Sequence, residues 1–166
     1  MTLPTTPSQT VGPYYAIGLC RRSESELVAS SDAGALRLAG RLLDGAGDPV
    51  DGMIEVWDRV GRRWGRSGTD AEGRFSFTVA KPPPADREAP RLDVHVFARG
   101  LLKHQLTRIY FPDEEEANAA DPVLASLPEE ARATLVAQAE NGALRFDIRL
   151  QGEDETVFLT YPNLEK

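Results

Sequence analysis

Segment after segment of this chain alternates apolar and polar residues with period two, and that rhythm is the strongest constraint on its fold. Leu36, Leu38 and Gly40 fall on one side of a run from Ala35 that ends at the Asp44-Gly45 turn signal. Met53, Glu55 and Trp57 alternate with Ile54 and Val56. Phe75, Phe77 and Val79 alternate with Ser76 and Thr78, just after the turn chemistry of Asp70-Ala71-Glu72-Gly73. Leu92, Val94 and Val96 alternate with Asp93, His95 and Phe97. Gln105 to Phe111 is a further β-rich run, Leu144, Phe146, Ile148 and Leu150 alternate again, and Thr156 to Leu159 closes the series. A helical signal lies between: Leu127-Pro128-Glu129-Glu130 places proline and acids in a first turn, and an apolar face at Leu135 and Val136 runs toward Asn141-Gly142. Asp113 to Ala120 offers one more acidic turn. Many short strands, regular turns and a late helical segment predict an all-β fold, an antiparallel β-sandwich.

The chain has 166 residues, enough for one ordinary core. The expected organisation is an N-terminal arm and loop over 1–34 and a single sandwich domain over 35–166. A net charge of −7 argues against nucleic acid or an anionic membrane as partner, although a local arginine can still hold a small anion. Cys20 is the only cysteine, so neither an intrachain disulfide nor a cysteine-based zinc site can form. With no signal-peptide pattern at the N-terminus and no membrane-length apolar run, a soluble cytoplasmic protein is expected.

Candidate chemistry is sparse. His95 and His104 are the only histidines. Asp93 and His95 share a strand face, and His104 folding back would complete a two-imidazole, one-carboxylate set suited to ferrous iron. Arg91 on the same face opposes a cation, and structural roles explain the spacing better. No Gly-x-Ser-x-Gly elbow supports a nucleophilic triad. Asp113 to Glu116 lacks the spaced ligands of a calcium loop. Arg99-Gly100 ends a strand, where a guanidinium reads either as a carboxylate clamp or, more simply, as an exposed strand-end arginine. Thr10-Val11-Gly12-Pro13-Tyr14-Tyr15 combines a tight turn with two aromatics, either a binding edge or an anchored arm.

Five motifs in order carry a resemblance: TPSQTVGPYYAIGL (Thr6 to Leu19), DGAGDPVDGMIEVW (Asp44 to Trp57), TDAEGRFSF (Thr69 to Phe77), HVFARGLLKHQLTRIYFPDE (His95 to Glu114) and RFDIRLQGEDETVF (Arg145 to Phe158). Through them the sequence resembles α-type chains of the heteromeric intradiol ring-cleavage dioxygenases that act on protocatechuate. The family's catalytic β-type chains hold a non-haem ferric iron with two tyrosines and two histidines. Here Lys81 to Asp86 reads KPPPAD, without the second tyrosine, and the insertion that carries the first is largely missing between Trp57 and Thr69. Arg91 and Asp93 stand where the His-x-His pair would be. The resemblance therefore implies no metal ligand and no catalytic residue in this chain, with Fe(III) bound by a partner β subunit.

It also implies a pairing of the two sandwiches around a shared site. Thr10, Gly12, Pro13 and Tyr14 would line the substrate pocket, Arg99 would meet the substrate carboxylate, and Arg108 would support it. The implied reaction inserts both atoms of O2 into protocatechuate to give 3-carboxy-cis,cis-muconate. Two alternatives stand beside this: an α subunit for another anionic catechol such as 4-sulfocatechol, and a metal-free sandwich used only for assembly or binding.

Overall fold

Apolar residues on one side of each alternating segment close against each other in a computed structural model that describes residues 6–7, 9–85 and 87–160. Among the described residues nine strands form: β1 (Ala35–Leu43), β2 (Gly52–Asp58), β3 (Arg63–Gly68), β4 (Arg74–Ala80), β5 (Arg91–Ala98), β6 (Gln105–Tyr110), β7 (Gln138–Glu140), β8 (Ala143–Arg145) and β9 (Ile148–Arg149). One sheet runs β4-β1-β8-β7, with β9 also along β1, and the other runs β3-β2-β5-β6. Leu38, Leu42, Phe75, Phe77 and Val79 of the first sheet face Ile54, Val56, Leu92, Val94 and Val96 of the second, all buried. This two-layer core is the sandwich that alternation predicts.

The turns use side-chain oxygens to replace ladder bonds. Asp44 Oδ1 accepts from the backbone N–H of Ala46 and of Asp48, both at 2.9 Å. Asp70 Oδ1 does the same for Glu72 and Arg74, at 3.0 and 2.8 Å.

Four details depart from the sequence reading. β8 and β9 run parallel to β1, so the first sheet is mixed. β3 is an additional strand, an edge without apolar alternation, where Leu27 packs over Gly65. Thr156 to Leu159 is not a strand; it follows β6 through a Leu159 N–H bond to the Leu106 carbonyl (2.7 Å) and a Thr107 hydroxyl bond to the Val157 carbonyl (2.8 Å). The helical region between β6 and β7 breaks into α2 (Glu115–Ala120), α3 (Pro122–Ala125) and α4 (Glu129–Ala133), after α1 (Tyr15–Gly18) in the arm; Asn141-Gly142 turns β7 into β8 instead of ending a helix. Of the expected regions, residues 1–5, Ser8, Asp86 and 161–166 lie outside the described residues. Among those described, no helix is long and apolar enough to cross a membrane.

Gly40 marks the tightest approach. A Cβ there would stand 1.8 Å from the Phe146 carbonyl oxygen and 2.8 Å from the Phe75 ring. The backbone of Phe146 and Asp147 runs alongside β1 at this point, held by Phe146 N–H to Ala39 O (2.9 Å) and Arg41 N–H to Asp147 Oδ1 (3.0 Å). Gly40→Ala is expected to cost about 3 kcal/mol or more, beyond ordinary overpacking, because backbone must move. Urea unfolding checks this, and a midpoint equal to the parent's would refute the close approach.

Candidate functional site

The arm docks where β2 begins and β5 ends. The Thr10 hydroxyl accepts from Gly100 N–H at 3.0 Å and donates to the Ala98 carbonyl at 3.3 Å, stapling the arm across the turn that follows β5. Gly100 has φ +94, a conformation that side chains disfavour, so this turn suits glycine. One turn further on, the Tyr15 hydroxyl donates to Asp51 Oδ1. Burial, and then the hydrogen bond to the Asp51 carboxylate, push the Tyr15 phenol well above its usual pKa, so it stays a neutral donor.

Arg99 leaves the same corner. Its Nη1 lies 3.7 Å from Asp51 Oδ2, and its side chain is 60% exposed. An ion pair this open and this long is worth little, so Arg99 is free to exchange its partner. Gly12, Pro13 and Tyr14 are exposed beside Tyr15 on the arm, with Tyr14 77% accessible. The structure thus joins Thr10 directly to the backbone on either side of Arg99, and holds Gly12 to Tyr14 in the short stretch between two anchors, Thr10 and Tyr15.

Arg108 lies elsewhere. It pairs with Asp93 in the β5–β6 ladder, six residues before Arg99 along β5, about 20 Å at ~3.3 Å per residue. Its side chain is only 6% exposed. Arg91 Nη2 meets Glu88 Oε2 at 2.8 Å, and Arg91 Nε meets Asp93 Oδ1 at 3.4 Å. Arg108 closes the ring, with Nη1 at 3.4 Å from Glu88 Oε1 and Nε at 3.5 Å from Asp93 Oδ1. Its Nη1 also donates to the Tyr110 hydroxyl (3.2 Å), which donates to Asp121 Oδ1 (3.1 Å). Burial pushes the Tyr110 phenol up to about 12. Glu88, Tyr110 and Asp121 carry no sequence signal for this role, because nothing in their spacing relates them.

This ring occupies the strand positions, Arg91 and Asp93, where the family resemblance would put a metal-binding histidine pair. Ferric iron favours phenolate and imidazole donors. Here two guanidinium groups face two carboxylates already shared between them, so the residues present do not fit that ion. The Asp93, His95 and His104 set does not assemble either. Asp93 is engaged by the arginines, while the His104 ring stacks on His95 (5.3 Å between centroids) and Phe97 (5.1 Å). Among the described residues no group of three or more His, Cys, Asp or Glu is placed to hold a metal.

Two outcomes follow. Among the described residues, Arg108→Ala leaves Glu88 with Arg91 alone and Asp93 with Arg91 and the exposed Arg59 (3.8 Å), and is expected to lower unfolding stability by about 3 kcal/mol, read from urea midpoints; a loss near zero would show that the ring carries no load. Burial, then the charge of His104, hold the His95 pKa below its ordinary 6.5. A depressed value means that the unfolded chain binds the proton more readily, so stability from neutral His95 is full above pH 6.5 and is lost as pH falls below it. His95→Gln should therefore narrow the difference in urea midpoint between pH 7 and pH 5, and an unchanged difference would contradict the burial argument.

No protein-family model matches the sequence. The chain is 44% identical to a "Protocatechuate 3,4-dioxygenase alpha chain" of Burkholderia cepacia over a 193-residue alignment, covering 95% of this chain and 98% of the relative. It is 35% identical to the alpha chain of the same name from Pseudomonas putida, covering 96% and 98%. A "Protocatechuate 3,4-dioxygenase beta chain" of Burkholderia cepacia is 30% identical, covering 72% of this chain and 65% of the relative. Among solved structures, an intradiol ring-cleavage dioxygenase from Tetranychus urticae superposes with a TM-score of 0.60 at 15% identity, covering 98% of both chains. The dioxygenase domain of a carbohydrate-binding fusion from Streptomyces sp. SirexAA-E gives 0.60 at 21% identity, covering 89% of this chain and 99% of that one, and these two matches bear on the fold alone. On the strength of the two alpha-chain relatives, this chain belongs to the protocatechuate 3,4-dioxygenase alpha-chain family.

Proposed function

We propose that this chain is the non-catalytic α half of a heteromeric intradiol dioxygenase that cleaves protocatechuate, acting with a β subunit that holds the ferric iron. The observation that supports this reading is the charge ring of Arg91, Arg108, Glu88 and Asp93, which puts fixed positive charge at the strand positions that the resemblance would give to metal-binding histidines. The reaction consumes O2 and breaks the bond between the two hydroxylated ring carbons, leaving 3-carboxy-cis,cis-muconate with both oxygen atoms incorporated. The iron of the partner supplies the activation of substrate and O2.

The part of this chain is to bind and to orient. Arg99 presents a planar, permanently charged fork to the ring carboxylate, and its weak hold on Asp51 lets the carboxylate replace Asp51 as partner. Gly12 and Pro13 form a small rigid wall, and Tyr14 offers an amphipathic face beside it. Thr10 keeps the arm against the β5 turn, so wall and clamp move together. Arg108 acts at a distance, as a positioning residue within the ring that braces β5 and β6.

The chain produced alone should contain no stoichiometric iron and should show no oxygen uptake with protocatechuate. Together with a β chain it should show both, and iron with activity in the lone chain would overturn the assignment. A sandwich used only for assembly predicts no pocket effect: in the active pair, Arg99→Ala should raise KM for protocatechuate by roughly 10- to 100-fold, the worth of a charge-assisted hydrogen bond, and change KM for unsubstituted catechol little. Equal losses on both would refute the clamp. Running 4-sulfocatechol beside protocatechuate decides which anionic group the pocket selects.

A further inference from the structure

The outer face of the first sheet bears a concentration of positive charge that the Arg99 corner does not use. On β1, Arg37, Ala39 and Arg41 point away from the core, each two residues from the next, about 7 Å apart. Ala39 lies beside Ser76 of β4 and Arg145 of β8, and Arg41 lies opposite Arg74. Small side chains thus floor a groove whose rim is arginine. The end of β3 and the Cys20-Arg21 stretch of the arm form its other wall, enclosing about 990 Å³.

Six arginines line the groove against three carboxylates, those of Asp70, Glu140 and Asp147. The carboxylates are already engaged: Asp147 by Arg145 at 2.7 Å, Glu140 by Arg145 at 3.7 Å, and Asp70 by Arg74 at 3.9 Å. Arg66 is held by Glu55 at 2.5 Å. Three guanidinium groups remain without a carboxylate. Arg41 donates only to the Glu72 carbonyl (3.1 Å), and Arg21 and Arg37 are exposed with no side-chain partner among the described residues. Three uncompensated cations on one face of a chain of net charge −7 form a local inversion of its field.

We propose that this groove is a binding site for a compact oxyanion bearing two or more negative groups, a di- or tricarboxylate or a phosphate. Carboxylate and phosphate both match the guanidinium fork, so the shared chemistry is a planar-fork acceptor. A small anion feels the local cations, whereas a long polyanion would meet the negative remainder of the chain. The volume is that of a small-molecule site. The lining of the groove does not include Arg99, and the proposal does not depend on the proposed reaction.

The test is isothermal titration of the full chain with citrate and, separately, with inorganic pyrophosphate, each against sodium chloride matched for ionic strength. One saturable site is expected for at least one of them, weakened at least tenfold in Arg37→Glu and unchanged in Arg62→Glu, an exposed arginine on the β2–β3 turn outside the groove. Both variants are surface changes, and circular dichroism confirms that each is folded. Saturation by citrate alone assigns the groove to carboxylates, and by pyrophosphate alone to phosphates. No saturable binding beyond the chloride control, or equal weakening by Arg62→Glu, overturns the proposal.

Discussion

Burying two arginines side by side is the interaction on which the β5–β6 end of this sandwich depends. Neither Arg91 nor Arg108 can enter a low-dielectric layer alone, because the cost of leaving water exceeds what one distant countercharge returns. Glu88 and Asp93 answer both at once, since each carboxylate reaches both guanidinium groups. From Arg108 the polar path continues through Tyr110 to Asp121, whose Oδ1 caps α3 through the N–H groups of Val123 and Leu124, while its Oδ2 accepts from Ala89. One connected set of groups therefore ties together β5, the loop before it, β6 and the helical segment. Removing one charged member takes a partner from each of its neighbours in a largely buried site, so the members are energetically coupled.

The opposite end of β5 follows another logic. There the arm is held by single hydrogen bonds to backbone and by the Tyr15–Asp51 pair, and its exposed side chains, Tyr14 and Ile17, touch little of their own chain. Asp51 does two jobs: it anchors Tyr15 through one oxygen and lies near Arg99 through the other. The partly buried bond to Tyr15 fixes the carboxylate, and the exposed pair can be broken cheaply. A clamp that must accept an outside anion needs this asymmetry. If Arg99 were buried against Asp51 as Arg108 is against Glu88, an incoming carboxylate would have to displace a partner at full desolvation cost.

What could be read from the sequence divides along the same physical line. Strands with one face on the core show it, so β1, β4 and β5 stand out through Leu38, Phe77 and Val94 and their neighbours at two-residue spacing. β3 has glycine at Gly65 and Gly68 and arginine at Arg63 and Arg66, so it carries no alternation to detect; it exists because β2 needs a partner on its open side. The parallel course of β8 and β9 beside β1 was hidden because periodicity reports which face is buried and says nothing of strand direction. At the candidate site, the contact of Thr10 with Ala98 spans 88 positions, a separation that no local pattern encodes. The family motifs brought Thr10 and Arg99 together where spacing could not.

On the proposed reading, the absence of a metal site on these strands and the stability of the sandwich are linked by one substitution of forces. In a metal-binding chain, a cation at this strand pair would gather donors from separate strands and so cross-link them. Here guanidinium groups supply the positive charge from within the chain, and carboxylates on β5 and on the loop before it supply the donors. The cross-link survives while its centre changes from an exchangeable ion to covalently attached cations. A guanidinium cannot give up its proton at any ordinary pH, so the ring does not open to admit a competing ion as imidazole or phenolate ligands would after titration. On the proposed reading, the chain keeps the bracing that a metal centre would provide without holding one, and its arm and Arg99, at the far end of the same strand, are placed to serve a site completed by the β subunit.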